Sequence, residues 1–405
     1  MALIESLQIY EKNPYEMIII CLDKTTHNIL NLFNYKNVKT IPLHEIEKND
    51  TALQQAKSNR SLIEYYWTLT PTIILRLFER YPWIIVITYL DADLFFYASP
   101  DPIYKELENY SVIIHEHRFS PEHKHLERNG KYNKGIVCFR NDINGLGTLG
   151  WWRNKCNEWC YHRLEDGKFG DQLYLNQFPI RFSGVGILQN IGAGVAPWNH
   201  IQYEFFEDYN GKKWVNNTPL IFYHFHSLEI VLPEIVVPSV SFPPFTKNII
   251  RICFEPYAQQ LYKNYQKLKS INANFAFGLK ELDLIYIYLA HQSLVSRMKY
   301  EQGAYSIIPI SKEWFLFTHS SVCNKKISDL LNKAKNEYHR GNTINAFNLL
   351  LKVVEEDPKN AVALTNLGVI YWENGDKRQA ICYLNKAHQY DPYNKKIIQL
   401  LKNIT

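Results

Sequence analysis

Two carboxylates one residue apart, Asp91 and Asp93, follow the apolar run Trp83-Ile84-Ile85-Val86-Ile87-Thr88 and lead into Leu94-Phe95-Phe96. A β-branched run of this kind reads as a buried strand. A carboxylate pair at its C-terminal end can hold a divalent cation, and that cation can neutralise a diphosphate leaving group. A lone Asp-x-Asp is a weak motif, since solvated carboxylates at a loop start look the same; the flanking apolar residues give this one its weight. A second constellation is Asp171-Gln172, directly after Gly170. A carboxylate beside an amide suits the hydroxyls of a polyol, and Asp171 is equally suited to N-cap a following short helix. The third is Phe222-Tyr223-His224-Phe225-His226, which sets two histidines at alternating positions on a strand, facing one side. One of them can complete a cation's ligand set, although satisfied core histidines are the plainer outcome. His115, His117, His123 and His125 crowd a fourth stretch. No cysteine accompanies them and the spacing matches no known zinc set, so a polar loop near an acceptor site is expected there.

The elements that must position these groups alternate between strand and helix over the first ~230 residues, as in an α/β domain. Strands are expected at 17–22, 38–42, 83–88, 111–115, 135–140, 184–188 and 220–223. Helices are expected at 25–33, 46–58, 61–80 and 145–164. Asp91 and Asp93 then stand at the C-terminal edge of a sheet, where α/β proteins bind ligands. The proline-rich segment 231–246 reads as an irregular linker, and 247–300 is mostly helical by period, most clearly at 263–268 and 282–298.

The tail differs. Ile327–Asn360 and Ala361–Asn394 are consecutive units of 34 residues. The second carries Leu364, Leu367, Gly368, Tyr371, Gly375, Ala380, Ala387 and Pro392 at tetratricopeptide spacing; the first matches through Leu330, Ala334, Gly341, Ala346 and Pro358. Lys395–Thr405 reads as a partial capping helix. The chain thus divides into 1–246, 247–326 and 327–405.

Composition narrows the function. A net charge of +5 over 405 residues, with no sustained basic stripe, does not indicate nucleic-acid binding. Basic residues gathered near both ends allow at most peripheral contact with an acidic membrane face. No targeting segment or membrane-length apolar run is visible. Seven scattered cysteines read as reduced core thiols, so a cytoplasmic location is expected, peripheral at most at the inner face of the membrane. Aromatics reach 14%, which suits stacking on sugar rings and equally suits an aromatic core.

Together these constellations resemble a bacterial family of GT-A-fold nucleotide-diphospho-sugar glycosyltransferases, related to the glycogenin-like transferases, over residues 1–230. The resemblance is carried by Asn59-Arg60-Ser61-Leu62-x-Glu64-Tyr65-Tyr66, Thr88-Tyr89-Leu90-Asp91-Ala92-Asp93-Leu94, Tyr132-Asn133-x-Gly135 and Phe139-Arg140-Asn141-Asp142. It continues through Trp151-Trp152, Trp159-Cys160-Tyr161, Glu165-Asp166-Gly167, Asp171-Gln172-x-Tyr174-Leu175, Ala196-Pro197-Trp198-Asn199 and the His224 segment.

The resemblance implies a Rossmann-like GT-A domain followed by an all-α region with two tetratricopeptide repeats. Asp91 and Asp93 would bind Mn2+ or Mg2+ and the donor diphosphate, with His224 as the late metal ligand. Asp171 and Gln172 would be the catalytic pair holding the donor sugar. Asn59, Arg60, Asn133 and Trp198 would line the donor site. The implied activity is sugar transfer from a nucleotide-sugar to a glycan, lipid-linked or protein acceptor. Three departures stand out. The strand and loop that relatives place before the first helix are missing, which suggests a truncated or late start and an empty central sheet position. Ser227-Leu228-Glu229 stands where Gly-Leu-Lys is expected, and Gly194 stands where asparagine is expected. These departures motivate a second possibility, an inactive transferase-like scaffold that binds protein partners through its repeats. A nucleotidyltransferase also uses paired aspartates, but its Gly-rich phosphate loop is absent near the N-terminus.

Overall fold

The computed structural model describes residues 1–232, 235–239, 242, 245–273, 275, 325–392 and 394–404. It is a mixed α/β protein with an all-helical C-terminal region. Two compact units appear, Met1–His226 and Ser227–Thr405.

In the first unit the helices are α1 (Ala2–Tyr10), α2 (Lys24–Phe33), α3 (Leu43–Glu47), α4 (Thr51–Asn59), α5 (Leu62–Arg80), α6 (Asp101–Leu107), α7 (Ile143–Glu158) and α8 (Phe178–Arg181). Their starts are written in the sequence: Asp23 accepts from the Thr26 amide at α2, Ser61 and Glu64 form a capping box at α5, and Asp142 accepts from the Gly145 amide at α7. The strands begin with β1 (Met17–Cys21), β2 (Val38–Pro42), β3 (Val86–Leu90), β4 (Leu94–Phe96), β5 (Val112–Glu116), β6 (Tyr132–Arg140) and β7 (Val185–Ile187). They end with β8 (Phe205–Glu207), β9 (Lys213–Val215), β10 (Thr218–Pro219) and β11 (Phe222–His224).

The central sheet runs β3-β6-β5-β7, with β6 antiparallel to both neighbours and β5 parallel to β7. Beside it, β1 and β2 form a separate parallel pair. Ile18, Ile20 and Ile87 share one core cluster, and Met17, Val86 and Leu90 share another, so both sheet pieces rest on common cores. Outer edges of β1 and β3 take no partner strand among the described residues. The two faces of the central sheet bury different sets, Val137, Phe139, Trp152 and Phe178 on one and Ile113, Ile136, Cys138 and Phe222 on the other. A short antiparallel pair, β4 with β11, sets Leu94 opposite His224. A further β10-β9-β8 meander completes the unit.

The second unit opens with a hairpin, β12 (Glu229–Leu232) and β13 (Ile235–Val237). Helices α9 (Lys247–Ile249) and α10 (Glu255–Ile271) are joined by a π-helical turn at Ile250–Phe254. The tail holds α11 (Lys325–His339), α12 (Thr343–Glu356), α13 (Ala361–Glu373), α14 (Lys377–Tyr390) and α15 (Lys395–Ile404). Gly341 and Gly375 both take φ of +81° between the paired helices, a conformation that favours glycine. Ala346 and Ala380 are both fully buried. At Gly368 a Cβ would lie 2.8 Å from Leu384 Cγ, so α13 and α14 meet where only glycine fits.

Several expected elements change. The strand expected at 83–88 begins at Val86 and runs to Leu90, because Trp83 and Ile85 lie before the ladder, 73% and 71% exposed. The helix expected to Leu164 ends at Glu158, where Trp159 turns extended. Helix 46–58 divides at Lys48 into α3 and α4. The segment 231–246 is not wholly irregular, since Leu232 and Ile235–Val237 belong to the hairpin. The expected helix at 282–298 lies outside the described residues.

Candidate functional site

The ladder between β3 and β6 ends where Asp91 donates its amide to the Gly135 carbonyl at 2.9 Å. One residue pair beyond, the β4–β11 register brings His224 against the Asp-x-Asp turn: the Phe225 amide donates to the Asp93 carbonyl at 2.9 Å. His224 Nε2 then lies 3.1 Å from Asp93 Oδ1 and 4.0 Å from Asp91 Oδ2. Ligand atoms of Asp93, His224 and His226 all fall within 4.8 Å of one another. Two imidazoles and a carboxylate at that spacing could hold a metal ion. Burial pushes His224 toward the neutral form, but the Asp93 and Asp91 carboxylates outweigh it and raise its pKa. The His226 pKa is lowered instead, by desolvation of its ring and then by His224 beside it, although the residue remains exposed.

Gly135 is what lets His224 come this close. A Cβ there would stand 2.8 Å from His224 Nδ1 and 2.6 Å from Asn133 Oδ1. Asn133 is itself pinned, accepting from the Gly135 amide at 2.7 Å and meeting His117 Nε2 through Nδ2 at 3.1 Å. Trp198 closes the other side. Its Nε1 donates to the His117 carbonyl at 2.9 Å, and its ring meets His224 and His226 edge-on at 5.3 and 5.4 Å.

Lys134, the unassigned x of the Tyr-Asn-x-Gly stretch, is the residue the sequence did not single out. Its Nζ lies 3.1 Å from Asp91 Oδ1, 3.3 Å from the Tyr89 hydroxyl and 3.8 Å from Asp171 Oδ2. The Tyr89 hydroxyl also donates to Asp91 Oδ1 at 2.8 Å. Burial alone would raise the Asp91 pKa; Lys134, His224 and the Tyr89 hydrogen bond reverse this and hold it at about 2. Asp171 is different. Burial dominates, Lys134 only partly offsets it, and its pKa rises to about 6. Asp171 Oδ2 is buried without a hydrogen-bond partner.

Asp171 is not a helix cap, because Gln172 occupies the N-cap of the short 3-10 turn Leu173–Gln177 with no side-chain cap bond. Gly170, at φ +53° and packed on Trp67, makes the turn, and Trp152 Nε1 donates to the Asp171 carbonyl at 2.9 Å. Gln172 packs toward Gly130 and donates to the Asn129 carbonyl at 3.4 Å.

Two sequence candidates stand apart from this cluster. Arg60 spends its guanidinium on the Thr68 hydroxyl at 2.6 Å and the Asn157 carbonyl at 2.7 Å, and stacks on Tyr161 at 5.3 Å. Asn59 is exposed at the end of α4. The histidine-rich stretch is not one polar loop. His115 and His117 are buried, bonded through Nδ1 to the Ile136 and Lys131 carbonyls, whereas His123 and His125 lie on the 3-10 helix Pro121–Asn129. Gly194 has its own cause: at φ +84°, a Cβ would stand 2.6 Å from His115 Cδ2 and 2.9 Å from Arg118 Nη2.

No family model matches the chain. Two proteins of Bacillus subtilis (strain 168) do. The chain is 32% identical to the uncharacterized protein YfnF over 238 residues, 57% of this chain and 77% of YfnF. The chain belongs to the YfnF family. The uncharacterized protein YfnD is 29% identical over 269 residues, 66% of this chain and 86% of YfnD. No helix among the described residues of this YfnF-family chain is long and apolar enough to cross a membrane.

Proposed function

We propose that the chain is a metal-dependent glycosyltransferase of GT-A type, moving a sugar from a nucleotide-diphosphate sugar to a glycan, lipid-linked or protein acceptor. The observation that carries this reading is the convergence of Asp93, His224 and His226 at the end of a sheet strand, with buried Asp171 reached through Lys134. One group suits a cation and the other suits a polyol, which are the two halves of a nucleotide-sugar. Two imidazoles with one carboxylate suit Mn2+ better than the oxygen-preferring Mg2+, and a bound cation would neutralise charge developing on the departing diphosphate.

The chain's own residues do the rest. Asp93, His224 and His226 would hold the cation, with Asp91 beside them. Asp171 Oδ2, buried and unpartnered, accepts a hydrogen bond from a donor-sugar hydroxyl. Gln172 is its neighbour at the sugar, Asn133 fixes the floor, and Trp198 packs edge-on against both histidines. Products are the glycoside, a nucleoside diphosphate and a proton.

The helical tail supports a recruiting role. Its left-handed glycines and buried alanines recur with the 34-residue period of tetratricopeptide repeats, which we read as a surface for a protein partner or the acceptor. The same feature favours the second reading, a scaffold without catalysis. The test is a panel of nucleotide-sugars assayed for nucleoside diphosphate release with and without Mn2+. Metal-dependent release from one donor, lost in Asp93→Asn, supports the transferase. No release from any donor, together with capture of a partner by the full chain, supports the scaffold.

A further inference from the structure

Lys134 shapes the charge of Asp91 and Asp171, and its place on β6 gives it a further part in the site. Strict alternation along β6 would turn it to the face of Ile136 and Leu90, away from Tyr89 and Val137. A bulge intervenes. Between Ile113 and His115 on β5, the partner on β6 moves from Cys138 to Asn133, so two steps on one strand oppose five on the other. Bulges bend a strand and re-aim its side chains. Here the result is an ammonium group placed among Tyr89, Asp91 and Asp171, its side chain only 14% exposed and lying 5.1 Å from the Tyr89 ring centre.

We propose that Lys134 is a positioning residue that ties the strand-end carboxylate of Asp91 to the sugar-side carboxylate of Asp171, at the expense of metal affinity. The assignment rests on the metal-dependent transferase reading for its kinetic consequence and on geometry alone for the tether. Asp91 Oδ1 already receives the Tyr89 hydroxyl and the Lys134 ammonium, so only Oδ2 faces the histidine side. Asp171 Oδ2 has no hydrogen-bond partner, and the Lys134 ammonium lies 3.8 Å from it. A half-buried carboxylate and a buried one drawn toward one ammonium repel each other once it is removed. The same positive charge also opposes a cation on Asp93, His224 and His226.

Lys134→Met and Lys134→Gln test this, with Lys134→Arg as the charge-preserving control. The glutamine variant keeps a hydrogen-bond donor and serves if the methionine variant does not fold. Two readouts are taken on the full chain. In crystal structures without metal, the neutral variants should show Asp91 or Asp171 rotated away from its position in the parent, and Lys134→Arg should not. In titrations with Mn2+ alone, the neutral variants should bind at least three-fold tighter than the parent, and kcat at saturating Mn2+ and donor should fall at least ten-fold while Lys134→Arg retains most of it. Unmoved carboxylates overturn the tether. Mn2+ affinity equal to or weaker than the parent's overturns the charge argument. If the parent itself binds no Mn2+ and no nucleotide-sugar, the transferase reading fails, and the carboxylate positions still decide the tether.

Discussion

Replacing Gly135 by alanine adds one methyl group at the point where the site is tightest. The new Cβ would stand 2.6 Å from Asn133 Oδ1, 2.8 Å from His224 Nδ1 and 2.9 Å from His224 Cε1. Carbon contacts are comfortable at about 3.5 Å, so the imidazole must retreat by roughly 0.6 Å. Asn133 cannot give way easily, because it is bonded to the Gly135 amide and to His117. Overpacking of this kind costs about 1–3 kcal/mol, which lowers the melting temperature by roughly 2–12 °C for a unit of this size. Metal sites tolerate only about 0.2 Å, and disturbing an outer-shell partner commonly loses 10–100-fold in affinity. Calorimetric titration with Mn2+ should therefore show a loss of at least ten-fold in a variant that remains folded. Gly147→Ala is the control: nothing lies within 4 Å of its added Cβ on α7, and it should leave Mn2+ binding unchanged. A Gly135→Ala protein with the parent's melting temperature and Mn2+ affinity would refute the reasoning, since the methyl group could then have been accommodated without moving His224.

Three other outcomes are expected. His224→Ala should weaken Mn2+ binding more than His226→Ala in the same titration, because His224 is buried 3.1 Å from Asp93 while His226 is exposed; equal effects would remove His224 as the principal ligand. Asp171 has a folded pKa of about 6 against about 3.9 unfolded, so the parent loses stability as pH rises through 4 to 6. Asp171→Asn escapes that loss, and urea melts should show it more stable than the parent at pH 7.5 by up to about 3 kcal/mol, with no gain at pH 4. Deleting Ile327–Thr405 should spare hydrolysis of the donor to water while lowering transfer to the natural acceptor, both measured on one preparation.

Much of this arrangement is visible in residue types and spacing. Asp91 and Asp93 at a strand end and two alternating histidines mark the candidates, but it is the β4–β11 pairing that brings Asp93, His224 and His226 together. The starts of α2, α5 and α7 follow from Asp23, Ser61 with Glu64, and Asp142, which act locally. Lys134 was not legible, because its importance comes from a bulge created by the pairing of β5 with β6, a non-local event with no local signature. The expected strand at 83–88 misplaced its start for a similar reason: Trp83 and Ile85 are as β-prone as Tyr89 and Leu90, and only the partner strand decides which are paired. Arg60 sits in a conspicuous stretch, yet it is spent bridging Thr68 near the start of α5 to the carbonyl of Asn157 near the end of α7. Glycine at 194 reads as a missing side chain until His115 and Arg118 are seen to fill the space.

The central claim is that this cluster binds a divalent cation and the diphosphate of a nucleotide-sugar together. The most direct measurement is calorimetric titration of a panel of nucleoside diphosphates into the full chain, with and without Mn2+, for the parent and Asp93→Asn. One nucleoside diphosphate should bind the parent at least ten-fold more tightly with Mn2+ than without, and Asp93→Asn should abolish the difference. Binding that is indifferent to Mn2+, or absent for every nucleotide, would contradict the claim.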